Sequence, residues 1–158
     1  MAPMQPAGTA QLKGRLQTES LLLARLFGEV AYDREDGTWF HVPNFILPPG
    51  WNKRSVEVLI DIPHGVPGYP QVPPQWFWTD LDLTTSDGRP LQHFFRRGHR
   101  TEDKKYISRG WGHYCAHLEQ GARWQPAAGS AWRRGHSLVT YVNMIRAILQ
   151  DREEKRFG

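Results

Sequence analysis

Apolar and polar positions alternate along the first half of the chain in a way that predicts β-strands. In the segment 56–62 (VEVLIDI) every second residue is a β-branched apolar residue, which is the period of a half-buried strand. Asp36-Gly37 is a hairpin turn signal between two β-rich segments. We predict four strands joined in order by short connections, an antiparallel meander: about 29–32, 38–46, 56–62 and 75–80. Pro43 cannot donate a ladder hydrogen bond and should lie at an edge or bulge.

Helical periodicity is found at the two ends of the chain. Apolar residues fall at 12, 16, 21, 22, 23 and 26, and again at 138, 139, 142, 145, 148 and 149, the spacing of amphipathic helices. Ser137 is the expected N-cap of the second helix. We therefore predict an α+β fold with helices flanking the meander. The expected organisation is a disordered lead over 1–11, a single domain over 12–152 and a tail over 153–158.

Composition narrows the class of protein. The 158 residues correspond to one domain, and 12 Pro with 15 Gly argue against a helical bundle. The single cysteine excludes an internal disulfide and fits a reducing compartment. The chain has no apolar run long enough for a membrane span, and its N-terminus lacks the apolar core of a signal peptide. We predict a cytoplasmic protein.

The net charge of +4 is concentrated in one segment. Between Arg89 and Arg109 lie seven basic residues and only two acidic ones. A solvated loop, a surface that docks an acidic protein and a nucleic-acid patch all fit this pattern. The irregular stretch that follows Asp80 is long for a compact domain, and loops of that length are usually functional or disordered.

Cys115 is the residue with the clearest chemical potential. His113 and His117 flank it at two residues on either side, and an imidazolium stabilises a thiolate. In an extended backbone both histidines could face the thiol, whereas on a helix Cys115 would be turned away from them. The pattern could also be a zinc site, but it supplies three ligands and no second cluster supplies a fourth. We predict no metal.

The order of motifs from Tyr69 to the final helix resembles the E2 ubiquitin-conjugating family over about residues 27–150. The matching features are a Tyr-Pro turn with a proline pair, an aromatic strand, a cysteine, a Trp-x-Pro and a helix: Tyr69-Pro70, Pro73-Pro74, Trp76–Trp78, Cys115, Trp124–Pro126 and 137–150. The closer likeness is to bacterial E2-like proteins of the prokaryotic E2 family E type. It is carried by the segments LPPGWN, WFWTD and WGHYCAH, at 47–52, 76–80 and 111–117.

This resemblance implies a UBC-like fold and a carrier function. Cys115 would accept a ubiquitin-like protein as a thioester from an E1-like adenylating enzyme and pass it to an amine. His117 and His113 are the expected auxiliary catalytic residues. The expected lining of the active groove, or contact surface for partners, is Trp111, Tyr114 and Trp124. The eukaryotic His-Pro-Asn motif is replaced by residues 106–109 (YISR), so another group, His117 first, must stabilise the oxyanion.

The resemblance also implies the partners. They are the ubiquitin-like protein, the E1-like enzyme and, in the same pathway, a JAB-type metalloprotease. No metal or organic cofactor is expected, because the E1-like partner consumes the ATP. Neither a membrane nor a nucleic acid is an expected partner.

Two other functions remain open from the sequence. An inactive E2 variant could bind a ubiquitin-like protein through its sheet. Alternatively, Cys115 and His117 could form a thiol hydrolase, which would need Asn143 or Asp103 to orient the histidine.

Overall fold

The predicted meander forms, and two further strands extend it. The structure is a computed structural model and describes residues 7–89, 94–95, 111–116, 123–128 and 131–155. The first four strands pair antiparallel in chain order: β1 (Ala31–Tyr32), β2 (Trp39–Ile46), β3 (Ser55–Asp61) and β4 (Trp76–Thr79). The added strands, β5 (Phe94–Phe95) and β6 (Gly112–Cys115), give the order β1-β2-β3-β4-β6-β5. The prediction of an α+β, UBC-like fold is confirmed.

Two helices flank the sheet, α1 (Ala7–Phe27) and α2 (Leu138–Lys155), and a short 3-10 turn (Trp132–Arg134) precedes α2. Both helices extend past the predicted domain limits, so residues 7–11 and 153–155 are helical rather than lead and tail. None of the described helices is long and apolar enough to cross a membrane.

The main core lies between the helices and one face of the sheet. In α2 the predicted stripe is confirmed, since Leu138, Val142, Ile145 and Leu149 are all fully buried. In α1 the stripe differs from the prediction. Leu16 and Leu23 are buried, but Leu21 and Leu26 are 63 % and 57 % exposed, because a buried glutamate occupies the stripe instead.

Two local features predicted from the sequence, the bulge at Pro43 and the helix cap at Ser137, are present in the structure. The pairing of β2 with β3 shifts register between Val42 and Phe45, so Pro43 lies in a bulge as predicted. Ser137 caps α2, since its hydroxyl accepts a hydrogen bond from the Val139 N–H at 3.1 Å.

The second face of the sheet carries its own apolar cluster, formed by Trp39, Leu59, Trp78 and Trp111. Leu59 alternates with Val58 and Ile60, which belong to the core under the helices. The cluster therefore lies on the face away from the helices, which we call the open face, and the centre of the sheet is buried on both sides.

Candidate active site on strand β6

Strand β6 carries the candidate nucleophile at its last position. It pairs antiparallel with β4, and the register places Cys115 opposite Trp76, Tyr114 opposite Phe77 and His113 opposite Trp78. The backbone is therefore extended here, which the sequence alone left undecided. Positions two apart in a strand lie on the same face, so positions 113 and 115 share the open face. The Cys115 side chain and the whole of His117 lie outside the described residues.

His113 lies between two indoles of β4. Its ring centroid is 4.8 Å from that of Trp76 and 4.9 Å from that of Trp78. Trp78 is fully buried, whereas Trp76 and His113 are partly buried. The imidazole, on the strand that ends in Cys115, therefore contacts both indoles.

Trp111 immediately precedes β6 and packs onto the open face. It is 2 % exposed and contacts His41 edge-on, with ring centroids 6.4 Å apart. His41 Nε2 in turn lies 3.0 Å from a carboxylate oxygen of Glu57. We predicted that Trp111 lines a groove, but its burial makes it a packing residue of the open-face cluster.

Tyr114 requires a similar correction. It is 2 % exposed and packs in the core under the helices, with its ring centroid 5.1 Å from that of Phe77. Successive residues of a strand face opposite sides, so Tyr114 faces away from His113. Trp111 and Tyr114 are therefore buried on opposite faces of the sheet and do not form one groove.

Trp124, the third predicted groove residue, supports the turn before β4. Its indole N–H donates to the carbonyl of Pro70 at 2.7 Å, and its ring packs against Tyr69 and His136. Trp124 is partly buried, and its described contacts are not with β6.

A polar residue that the sequence reasoning missed, Glu19, lies at the centre of a buried hydrogen-bond network. Its carboxylate is fully buried and accepts hydrogen bonds from the Tyr69 hydroxyl and the Leu138 N–H, both at 2.5 Å, and from Arg15 Nε at 3.0 Å. Burial raises the pKa of Glu19, and these hydrogen bonds offset only part of that effect. The signal was present in α1, where positions 16, 19, 23 and 27 follow helical spacing.

Arg15 extends this network to the segment after the candidate site. Its guanidinium donates to the carbonyls of Ala127 and His136 at 2.5 and 3.2 Å, and it lies over the rings of Tyr69 and Trp132. A groove of about 680 Å³ adjoins it, between the first half of α1 and the loop 63–71. No β6 residue lines that groove, so it is separate from the candidate nucleophile.

The alternative sites weighed from the sequence find no support in the described ranges. No group of three His, Cys, Asp or Glu side chains there could hold a metal ion, and the HxCxH alternative depends on His117, outside those ranges. Asn143, a candidate to orient a catalytic histidine, is exposed on α2. Asp103 lies outside the described residues.

Comparison with known families identifies the chain. Searches of curated proteins and of solved structures give no significant match. The family model described as prokaryotic E2 family E matches residues 25–152, which include the whole sheet and most of α2. This match covers most of the chain and contains Cys115. The chain belongs to the prokaryotic E2 family E.

Proposed function

We propose that the protein is an E2-type carrier that holds a ubiquitin-like protein as a thioester on Cys115. Membership of an E2 family indicates a role in ubiquitin-like conjugation. The observation that carries the finer proposal is that the matched region contains the only cysteine of the chain. Thioester carriage needs one thiol, and no other residue of the chain supplies it.

The proposed reaction has two acyl transfers. The Cys115 thiolate attacks the C-terminal carbonyl of the modifier in its thioester with the E1-like enzyme, and the thiolate of that enzyme leaves. A target amine then attacks the new thioester, the Cys115 thiolate leaves and the amine proton passes to a base or to solvent. A thiolate serves both steps because it is a good nucleophile and a good leaving group.

The two neighbouring histidines have distinct proposed roles. His113 is proposed to stabilise the thiolate as an imidazolium, and the open face that positions 113 and 115 share supports this role. His117 is proposed as the donor that stabilises the oxyanion, in place of the missing His-Pro-Asn asparagine. The proposed partners are the ubiquitin-like protein and an E1-like enzyme, with a JAB-type metalloprotease in the same pathway. The cytoplasm is the proposed location, because the thiol must stay reduced.

Adduct formation tests the proposal directly. The protein is incubated with its E1-like enzyme, the modifier and ATP, and the products are separated with and without a thiol reductant. We expect an ATP-dependent adduct that the reductant removes and that Cys115→Ala abolishes. Cys115→Ser should give a weaker, reductant-resistant ester that hydroxide cleaves. Failure of the wild-type protein to form an adduct, or an adduct that survives in Cys115→Ala, rejects the proposal.

A further inference from the structure

Trp76 stands out on β4 because it neighbours both Cys115 and His113. It is the cross-strand partner of Cys115, and its ring also contacts His113. We propose that Trp76 is a positioning residue, which holds the His113 imidazole at the Cys115 end of β6. The inference rests on the proposed role of Cys115 and adds a residue that the motif comparison did not assign.

The register brings these positions close together. The Ala116 N–H donates to the Gln75 carbonyl at 2.8 Å, so residues 75 and 116 form a hydrogen-bonded pair. The next pair, Trp76 and Cys115, is then a non-hydrogen-bonded pair, as is the pair of Trp78 with His113. In such pairs the Cα atoms are about 4.5 Å apart and the side chains are closest.

The ring contacts of His113 extend toward the Cys115 end of β6. Its direct partner is Trp78, and Trp76 is the diagonal neighbour on the Cys115 side. The ring centroids of these two indoles lie 4.9 and 4.8 Å from that of His113, so the imidazole contacts its diagonal neighbour as closely as its direct partner. The indole of Trp76 therefore contacts His113 on the side toward position 115.

The chemical consequence follows from the position of the ring. The two indoles hold the imidazole on the face that position 115 shares, and an imidazolium near that position favours the thiolate. Among the described residues, the titratable groups on the same face are His41 on β2 and Glu57 and Asp61 on β3. Strand β4 separates them from β6. On the other side, β5 places Phe95 opposite His113.

The single cysteine makes the test specific, since iodoacetamide reports on Cys115 alone. The rate of alkylation is measured from pH 5 to pH 10 in wild type and in Trp76→Leu. We expect the midpoint of the pH profile to rise in Trp76→Leu, so that the rate at pH 7 falls about three- to tenfold. Trp76→Phe keeps an aromatic face and should stay within about twofold of wild type.

Two controls separate positioning from loss of structure. Trp132→Leu makes the same chemical change at a ring that contacts Arg15 and should leave the profile unchanged. In a protein that already carries His113→Ala, adding Trp76→Leu should not raise the midpoint of the alkylation pH profile any further, because Trp76 acts through His113. A midpoint that stays or falls in Trp76→Leu, or the same rise without His113, overturns the inference.

The alkylation assay uses no partner protein. It therefore distinguishes the two proposals. If wild type forms no thioester adduct while the Trp76 and His113 variants behave as expected, the carrier function fails and the coupling of the three residues stands. If the adduct forms and Trp76→Leu matches wild type in the pH profile, only the positioning role fails.

Discussion

At the scale of single residues, Glu19 shows how a buried charge can organise a fold. Its carboxylate joins α1 to the Tyr69-Pro70 turn and to the first residue of α2. Burying a carboxylate is unfavourable unless hydrogen bonds and a counter-charge compensate, and here Arg15 supplies the charge. The three segments are thereby fixed relative to one another.

The raised pKa of Glu19 predicts a definite pH dependence of stability. The folded-state pKa of Glu19 lies above the ordinary value of 4.5. Its stabilising contribution to the free energy of unfolding is therefore fully present below pH 4.5, and it is lost as the pH rises through the folded-state pKa. Glu19→Gln removes the titration with little change in shape. We therefore expect the free energy of unfolding of wild type, relative to Glu19→Gln, to decrease as the pH rises from about 4.

Urea unfolding of both proteins at a series of pH values measures this difference. The other titrating groups are common to both proteins, so their effects cancel to first order. A difference that grows with pH would mean that the fold favours the charged form of Glu19, which contradicts the expectation.

The candidate site shows that the segment carrying the site was easier to predict than the face of the sheet on which each of its side chains lies. The motif order singled out Cys115, His113 and Trp111, and the structure places the last two on the open face of the sheet. Tyr114 was expected to line the groove, but it is buried in the core under the helices. Its burial depends on which face of β6 it occupies, and that is settled by pairing with β4, 35 or more residues away in the chain.

At the scale of elements, prediction succeeded where the pattern was uninterrupted. The apolar stripe of α2 and the alternation in β3 were both predicted from the sequence, and the residues assigned to the core are buried. In β3, Leu59 on the opposite face is buried too, which a half-buried strand does not predict. In α1 the apolar stripe contains Glu19, so Leu21 and Leu26 were assigned to the core in its place. Strands β5 (FF) and β6 (GHYC) were not predicted, since they contain no β-branched residue and show no clear apolar alternation.

The close approach of Gly135 to Ala127 gives a prediction for the segment before α2. A Cβ at Gly135 would lie 2.5 Å from the Ala127 Cα, and this backbone is fixed by the hydrogen bond from the Ala127 N–H to the His136 carbonyl at 2.9 Å. We expect Gly135→Ala to lower the free energy of unfolding by about 2 kcal/mol through overpacking. Denaturant unfolding measures the loss.

Gly14→Ala is the matched control for this substitution. Gly14 lies within α1, and a Cβ there would meet nothing within 4 Å. Alanine favours a helix over glycine by up to about 1 kcal/mol, so this variant should be as stable as wild type or more so. If Gly135→Ala were as stable as wild type, the backbone at Ala127 would move away from position 135 at little cost, which contradicts the prediction.

At the scale of the whole molecule, burial on both faces makes β3 a strongly protected element of the sheet. Val58, Leu59 and Ile60 have no exposed surface, and β3 pairs along both edges. We expect the hydrogen-bonded amides of β3 to exchange with solvent only through global unfolding, whereas those of the two-residue edge strand β1 exchange faster by local opening. Hydrogen exchange resolved by residue tests this, and equal rates in β1 and β3 would contradict it.

The position of Arg15 and Glu19 bears on how fragments of this protein are designed. The family match begins at residue 25, whereas both residues lie earlier, in α1. A truncated gene that starts at the match boundary would remove the Glu19 carboxylate from the Tyr69 hydroxyl and the Arg15 guanidinium from the carbonyls of Ala127 and His136. It would also expose the apolar side chains that Leu16 and Leu23 cover. We therefore expect a stable fragment to need the whole first helix, of which the family match covers only the last three residues.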